Sequence, residues 1–212
     1  MRLLVFRFSA MGDVALLSPV ISSLARKYSS LSITLVTRKA FEPFFYNVPG
    51  VEVIGVDVDQ EYRGIRGLYR LFRELCKLGP YTRGIDVHAS TRSRILKLFF
   101  YFLTGLRFET IVKGRREKKA MIRSQNKILQ PLPHVVDRYM RVFERAGLEA
   151  PVGRAPWINP DTQARALARS FLVGEKVEKK SGPWIGIAPF ARHLQKTWPL
   201  ASVRELMRLI LN

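Results

Sequence analysis

The sequence is short of several things. It has one cysteine in 212 residues, Cys76, so no disulfide can form within the chain. No apolar run approaches the roughly 18 residues that a membrane-spanning helix needs. Arg7 and Asp13 break up the N-terminal stretch that a secretory signal would keep apolar. Together these features set a cytoplasmic location as the expectation. Two nucleotide signatures are also missing. Three spaced glycines do not follow the first apolar stretch, and no Gly-Lys-Ser/Thr closes a phosphate loop. Acidic residues are scarce: 17 Asp and Glu face 36 Lys and Arg, a net charge of +19. Such an excess fits an anionic partner, whether nucleic acid, an anionic membrane surface or phosphorylated substrates, and does not choose among them. What remains is ordinary. Hydrophobic residues at 47% and charged residues at 25% are those of a soluble globular chain, long enough for one large or two small domains.

The pattern that is present begins at once. Residues 3–8 are mostly apolar and read as a buried strand. Val14, Leu17, Ile21 and Leu24 then recur at helical spacing over 14–28, with Pro19 marking a kink or a delayed start. Between them lies the turn Ser9-Ala10-Met11-Gly12-Asp13-Val14. In an open parallel sheet, ligands bind beside such turns, so Asp13 stands where a reacting group would be. It also stands in a first helical turn, where any carboxylate meets the positive end of the helix dipole. Further strands are expected at 32–37, 51–56, 85–88 and 107–112, and helices at 41–46, 67–78 and 93–103. This alternation predicts an α/β fold with a doubly wound, mostly parallel sheet.

Residues 92–127 hold 11 basic side chains against Glu109 and Glu117, densest in a predicted loop over 113–119. The run follows a strand on the ligand-binding edge of the sheet, which sets it apart from an ordinary solvated loop. Phe99, Phe100, Tyr101 and Phe102 fall inside it. They form the continuous apolar side of a helix and read as core rather than as stacking platforms for bases. A helix is expected over 134–146, with His134 near its start as a capping or surface residue rather than a catalyst. Residues 150–159 carry three Pro or Gly and read as an interdomain linker. A helix over 161–172, a buried strand over 184–189, an irregular turn and a helix over 200–211 complete the chain. Strand, turn and helix repeat the opening theme and read as the start of a second α/β domain.

Arg7-Phe8-Ser9-Ala10-Met11-Gly12-Asp13-Val14 resembles the opening of glycosyltransferase family 9, the ADP-heptose:lipopolysaccharide heptosyltransferases. Ile187-Ala188-Pro189-Phe190-Ala191-Arg192-His193, followed by Lys196-Thr197-Trp198-Pro199, resembles that family's strand-to-helix loop at the start of its second domain. Ile85-Asp86-Val87-His88, Ser93-Arg94 and the segment from His134 to Tyr139 resemble further family segments in the expected order. The resemblance implies a GT-B-type fold of two facing Rossmann-like halves. Residues 1–150 would be the acceptor-binding half, and 151–212 a linker and the incomplete start of the half that binds the nucleotide sugar. It implies an inverting transfer of heptose, or a related sugar, from an ADP-sugar to a lipid A–core acceptor, with no cofactor and no metal. Asp13 would be the base, within the first loop of Ser9, Met11 and Gly12. Lys196, Thr197 and Arg192 would meet the donor diphosphate. His88, Arg92, Arg94, Arg115 and Arg116 would meet the acceptor. The family's loop commonly reads Pro-Gly where this chain has Pro189-Phe190. The family's later donor-binding segments have no counterpart here, so a fragment inactive on its own is the expectation. A basic surface also suits peripheral contact with an anionic inner-membrane surface. The alternative is a basic α/β module that binds anions or nucleic acid without catalysis, nucleic acid being the less favoured partner.

Overall fold

The computed structural model describes residues 1–153, 157–158, 160, 162–175, 185–191 and 194–211. Five strands, β1 (Arg2–Phe6), β2 (Ser32–Arg38), β3 (Val51–Val56), β4 (Arg83–Asp86) and β5 (Phe108–Thr110), form one sheet in the order β3-β2-β1-β4-β5. Every pairing is parallel. β1 lies at the centre, and Leu3 to Phe6 are all fully buried. This is the continuous apolar run of a strand covered on both faces. Because successive side chains point to opposite faces, β1 feeds two cores. Leu3 and Val5 pack with α2 (Ser18–Lys27) and α6 (Val135–Arg145) through Val20, Ile21, Leu24, Tyr139 and Phe143. Leu4 and Phe6 pack with α3 (Gly64–Leu78) and α4 (Thr91–Thr104) through Leu71, Phe72, Leu96 and Phe100.

The segment after β1 explains Pro19. A five-residue helix, α1 (Met11–Ala15), breaks before α2 begins, and Pro19 falls in the first turn of α2. There its missing N–H breaks no helical bond and its fixed φ suits the start. His134 caps α6 as its position predicts, its Nδ1 accepting from the Val136 N–H at 3.3 Å.

Two expectations about this unit are corrected. The basic run over 115–121 is a helix, α5 (Arg115–Met121), not a loop. It buries no side chain, so it has no apolar period by which to be read. The aromatic run of α4 is not all core. Phe100 is buried, but Tyr101 and Phe102 are exposed. Within the stretch read as a linker, 150–159, three described residues contact α2 or its core. Ala150 lies in the α2–α6 core, the Gly153 N–H donates to Ser23 Oγ at 3.3 Å, and Ser18 Oγ donates to the Trp157 carbonyl at 3.0 Å.

The chain divides into two compact units, Met1–Leu167 and Ala168–Asn212, with α7 (Thr162–Gly174) running across the division. The second unit contains a 3₁₀ turn (Leu194–Lys196) and α8 (Leu200–Leu211). Of the stretch read as a strand, Trp184 lies outside the described residues, and 185–189 form no strand. A β segment needs a neighbour to satisfy its N–H and C=O groups, and no strand of the described residues pairs with it. Among the described residues no helix is long and apolar enough to cross a membrane.

Candidate active site

Strand order reverses between β1 and β4, since β2 and β3 lie to one side and β4 and β5 to the other. A sheet of this kind opens a crevice at the carboxyl ends of the two strands flanking the reversal. Phe6 and Asp86, the last residues of β1 and β4, are register partners. A cavity of about 340 Å³ lies just beyond them. Its walls come from the segment after β1 (Arg7, Ser9, Ala10, Asp13), from His88 after β4, from Ile111 and Lys113 after β5, and from Lys118, Val135 and Arg138 of α5 and α6.

Arg7 is the key to its construction. It continues the ladder of β1, its N–H donating to the Val36 carbonyl at 3.1 Å. Its side chain is buried, and a buried cation needs partners. Nη1 donates to the Val87 carbonyl at 2.6 Å, Nη2 pairs with the Asp13 carboxylate, and Cζ lies 5.6 Å from the centre of the Tyr139 ring. Tyr139 in turn donates its hydroxyl to the Asp13 carbonyl at 3.0 Å. Burial raises the Tyr139 pKa to about 12, against the pull of Arg7, so the phenol keeps the proton it donates. Asp13 is thus held at both its backbone and its carboxylate, while 47% of its side chain stays exposed to the cavity.

The β4 side is built differently. Asp86 is fully buried, and its Oδ1 accepts the N–H groups of His88 at 3.0 Å and Ala89 at 2.8 Å, turning the chain out of the strand. Lys97 Nζ lies 3.0 Å from its Oδ2 and donates to Thr110 Oγ1 at 2.7 Å. Ser90 then caps α4 in a reciprocal box with Ser93: Ser90 Oγ accepts the Ser93 N–H, and Ser93 Oγ accepts the Ser90 N–H. His88 emerges with its Nε2 3.3 Å from Ser9 Oγ. Burial, then the charges of Arg7 and Lys113, push its pKa down to about 4, so it is neutral at physiological pH. Lys113 is likewise lowered by burial and by Arg7 and Arg115. Arg7, Lys113, Lys118 and Arg138 face the single carboxylate of Asp13, which makes the cavity a site for an anionic ligand.

The structure therefore brings together Asp13, Ser9 and His88 of the residues expected from sequence. Met11 is exposed at the start of α1, and Gly12 has open space where a Cβ would point. Arg92 does not line the cavity: it bonds Asp59 at 2.7 Å, the carboxylate that Arg38 also holds at 2.7 Å. Arg94 is exposed on the first turn of α4, and its charge acts on Lys113. Arg115 likewise acts on Lys113. Arg116 lines a separate cavity of about 320 Å³ with Arg123 and Gln130. Lys196 is exposed at the end of the 3₁₀ turn of the second unit, and Thr197 donates its N–H to the Leu194 carbonyl at 2.9 Å. Arg192 lies outside the described residues. Sequence reasoning missed Arg7, Lys113, Lys118, Arg138 and Tyr139 as site residues. For Arg7 a signal existed, since a lone charge at the end of a doubly buried strand must be paired. Among the described residues no three His, Cys, Asp or Glu side chains are grouped to hold a metal ion.

The fold is that of solved glycosyltransferases. A glycosyl transferase of family 9 from Veillonella parvula matches 97% of this chain at TM-score 0.72 and 20% identity, over 58% of its own length. The E. coli heptosyltransferase WaaC with ADP-2-deoxy-2-fluoro heptose matches 99% of this chain at TM-score 0.62 and 21% identity, over 65% of its length. The E. coli ADP-heptose lps heptosyltransferase II matches all of this chain at TM-score 0.59 and 18% identity, over 61% of its length. The chain thus spans about three fifths of the length of these proteins. No curated protein matches it. The profile of glycosyltransferase family 9 (heptosyltransferase) matches residues 68–212. That match runs from α3 through β4, β5 and α6 into the second unit and covers more than half of the chain, so this chain belongs to glycosyltransferase family 9.

Proposed function

We propose that this protein carries the acceptor side of a heptosyltransferase, which moves heptose or a related sugar from an ADP-sugar to the lipopolysaccharide inner core with inversion. The observation that carries this reading is the Asp13 carboxylate, presented by a buried arginine to a cation-lined cavity at the reversal of strand order. Asp13 takes the proton of an acceptor hydroxyl. The hydroxyl oxygen attacks the anomeric carbon, the bond from that carbon to the diphosphate oxygen breaks, and ADP leaves with the electron pair. The diphosphate needs positive charge as it departs, and Lys196, with Thr197 and Arg192 beside it in sequence, is the group we assign to it. Residues 1–150 serve the acceptor and 151–212 open the donor half. Lys113, Lys118 and Arg138, with Arg94, Arg115 and Arg116 farther out, meet the phosphates and carboxylates of a lipid A–core acceptor. His88, neutral and beside Ser9, offers hydrogen bonds to a sugar hydroxyl. The step uses no cofactor and no metal. WaaC has been solved with ADP and with a fluorinated ADP-heptose, which supports the same class of donor. We place the protein in the cytoplasm, attached peripherally to the inner membrane.

The test is Asp13→Asn in the full-length protein, with release of ADP from ADP-heptose followed in the presence of lipid A–core acceptor. A fall in kcat on the order of 100-fold or more, with acceptor affinity little changed, is expected. Turnover close to that of the unsubstituted protein would remove Asp13 from the role.

A further inference from the structure

The side of α4 that faces away from the sheet has no work in the site just described. The helix is fixed by Leu96 and Phe100, both buried, and the Phe100 ring meets Phe72 edge-on at 4.8 Å. Its outer side is apolar as well. Leu98, Tyr101 and Phe102 follow at i, i+3 and i+4 and so share one face, with exposures of 53%, 52% and 75%. Leu103, at the helix end, is 58% exposed. Single exposed apolar residues are ordinary, but a contiguous group of large ones marks a contact surface.

The surroundings say which kind. Tyr69 of α3 packs edge-on against Phe99 of α4 at 5.5 Å, so the outer sides of the two helices adjoin. The same two helices carry Arg73 and Lys77 on α3, and Arg107 follows just beyond the end of α4, all exposed. None of these three is in an ion pair among the described residues. Glu74 is the only acidic residue on either helix, and Tyr62 and Arg70 hold it. An aromatic and aliphatic centre accompanied by free cations complements a surface that is anionic outside and apolar beneath.

We propose that the outer face of the α3–α4 layer docks on an anionic lipid bilayer, with Leu98, Tyr101 and Phe102 entering the headgroup boundary and the flanking Arg and Lys side chains meeting lipid phosphates. This rests on the peripheral attachment proposed above and assigns it a surface. At about 1.5 Å of rise per residue, residues 98–102 lie roughly 10 to 17 Å along α4 from its first turn. The docked face is therefore beside the cavity rather than across its mouth, and the cavity stays open to a substrate anchored in the same leaflet.

The experiment is co-sedimentation of the 212-residue chain with vesicles of phosphatidylglycerol and phosphatidylcholine in equal parts. The unsubstituted chain is compared with Leu98→Ser/Tyr101→Ser/Phe102→Ser. Because the three positions are exposed, the variant should keep its far-ultraviolet dichroism and melting profile. The unsubstituted chain should bind these vesicles and not pure phosphatidylcholine. The triple substitution should lower partitioning by on the order of 100-fold. In Phe102→Trp, vesicles should shift the tryptophan emission to the blue. If the unsubstituted chain does not bind anionic vesicles, the attachment itself is wrong. If it binds and the triple variant binds equally, attachment stands but this surface is not its seat. If the triple variant turns a dimer into a monomer by light scattering and leaves vesicle binding intact, a second copy of the chain covers the face. Loss of single-stranded DNA binding in the variant, with vesicle binding unchanged, would identify a nucleic-acid surface instead.

Discussion

Asp86 at the end of β4 and Asp13 beyond the end of β1 each meet one basic side chain, and the two pairs are built in opposite senses. In the first, the acid is fully buried and the base, Lys97, is 19% exposed. In the second the base is the buried member: the Arg7 side chain is 7% exposed, that of Asp13 47%. Burying the carboxylate makes it a structural tie, because two backbone N–H groups bond its Oδ1 and the Lys97 ammonium lies 3.0 Å from its Oδ2. Burying the cation instead leaves a carboxylate that is aimed but not consumed. The same arrangement of opposite charges therefore holds a loop in one place and presents an exposed carboxylate in the other.

Three measurements would break or sharpen that contrast. The largest effect is expected on stability. Lys97→Met leaves the Asp86 carboxylate buried without its counter-charge, and denaturant unfolding should show a loss of about 3 kcal/mol or more. A loss below about 1 kcal/mol would mean that Asp86 reaches water and that the tie is not a buried one. Next comes Arg7→Met. Asp13 can turn toward solvent, so the stability loss should be smaller than for Lys97→Met. The carboxylate would then be misplaced, and kcat of the proposed sugar transfer should fall by roughly 10- to 100-fold with KM little changed. Arg7→Lys should recover part of that loss. Equal destabilisation by both methionine variants, with normal kcat for Arg7→Met, would show the two pairs to be alike.

The smallest effect concerns His88, which lies between the pairs. Its folded pKa is about 4, against roughly 6.5 in an unfolded chain. Between these values the unfolded chain binds more protons. The stability that neutral His88 contributes is therefore complete above about pH 6.5 and is lost as pH falls toward 4. Unfolding free energies measured across this window should slope downward toward acid, and His88→Asn should flatten the slope. An unchanged slope would place the titration elsewhere.

The alternation of strands and helices was legible in the sequence because it rests on apolar period. Residues 51–56 and 200–211 coincide with β3 and α8. Asp13 was legible as a cavity residue because a strand-to-helix turn of a parallel sheet lies at the edge where such a crevice opens. The rest was hidden for separate reasons. α5 consists of good helix formers such as Arg, Glu, Lys and Ala but buries nothing, so only propensity could have revealed it. Apolar residues surround α4 in its second half, and periodicity cannot say which side of such a helix faces the core. The ion pair of Arg92 was hidden because its partner, Asp59, is 33 residues away. Arg7 was read as an interruption of an apolar run, and the interruption is the buried partner of Asp13.

The hydrogen bond from the Tyr139 hydroxyl to the carbonyl of Asp13 spans 126 residues. It ties the first loop of the chain to the last helix of the first core, and so it has a consequence for synthesis. On the ribosome, β1 and its loop emerge first, but the wall that fixes Asp13 does not exist until α6 has left the exit tunnel. Closing contacts so distant in sequence comes late in folding. A nascent chain stopped short of α6 would carry the sequence of the first loop without the cavity, and the cavity would form in one of the last steps of folding this unit.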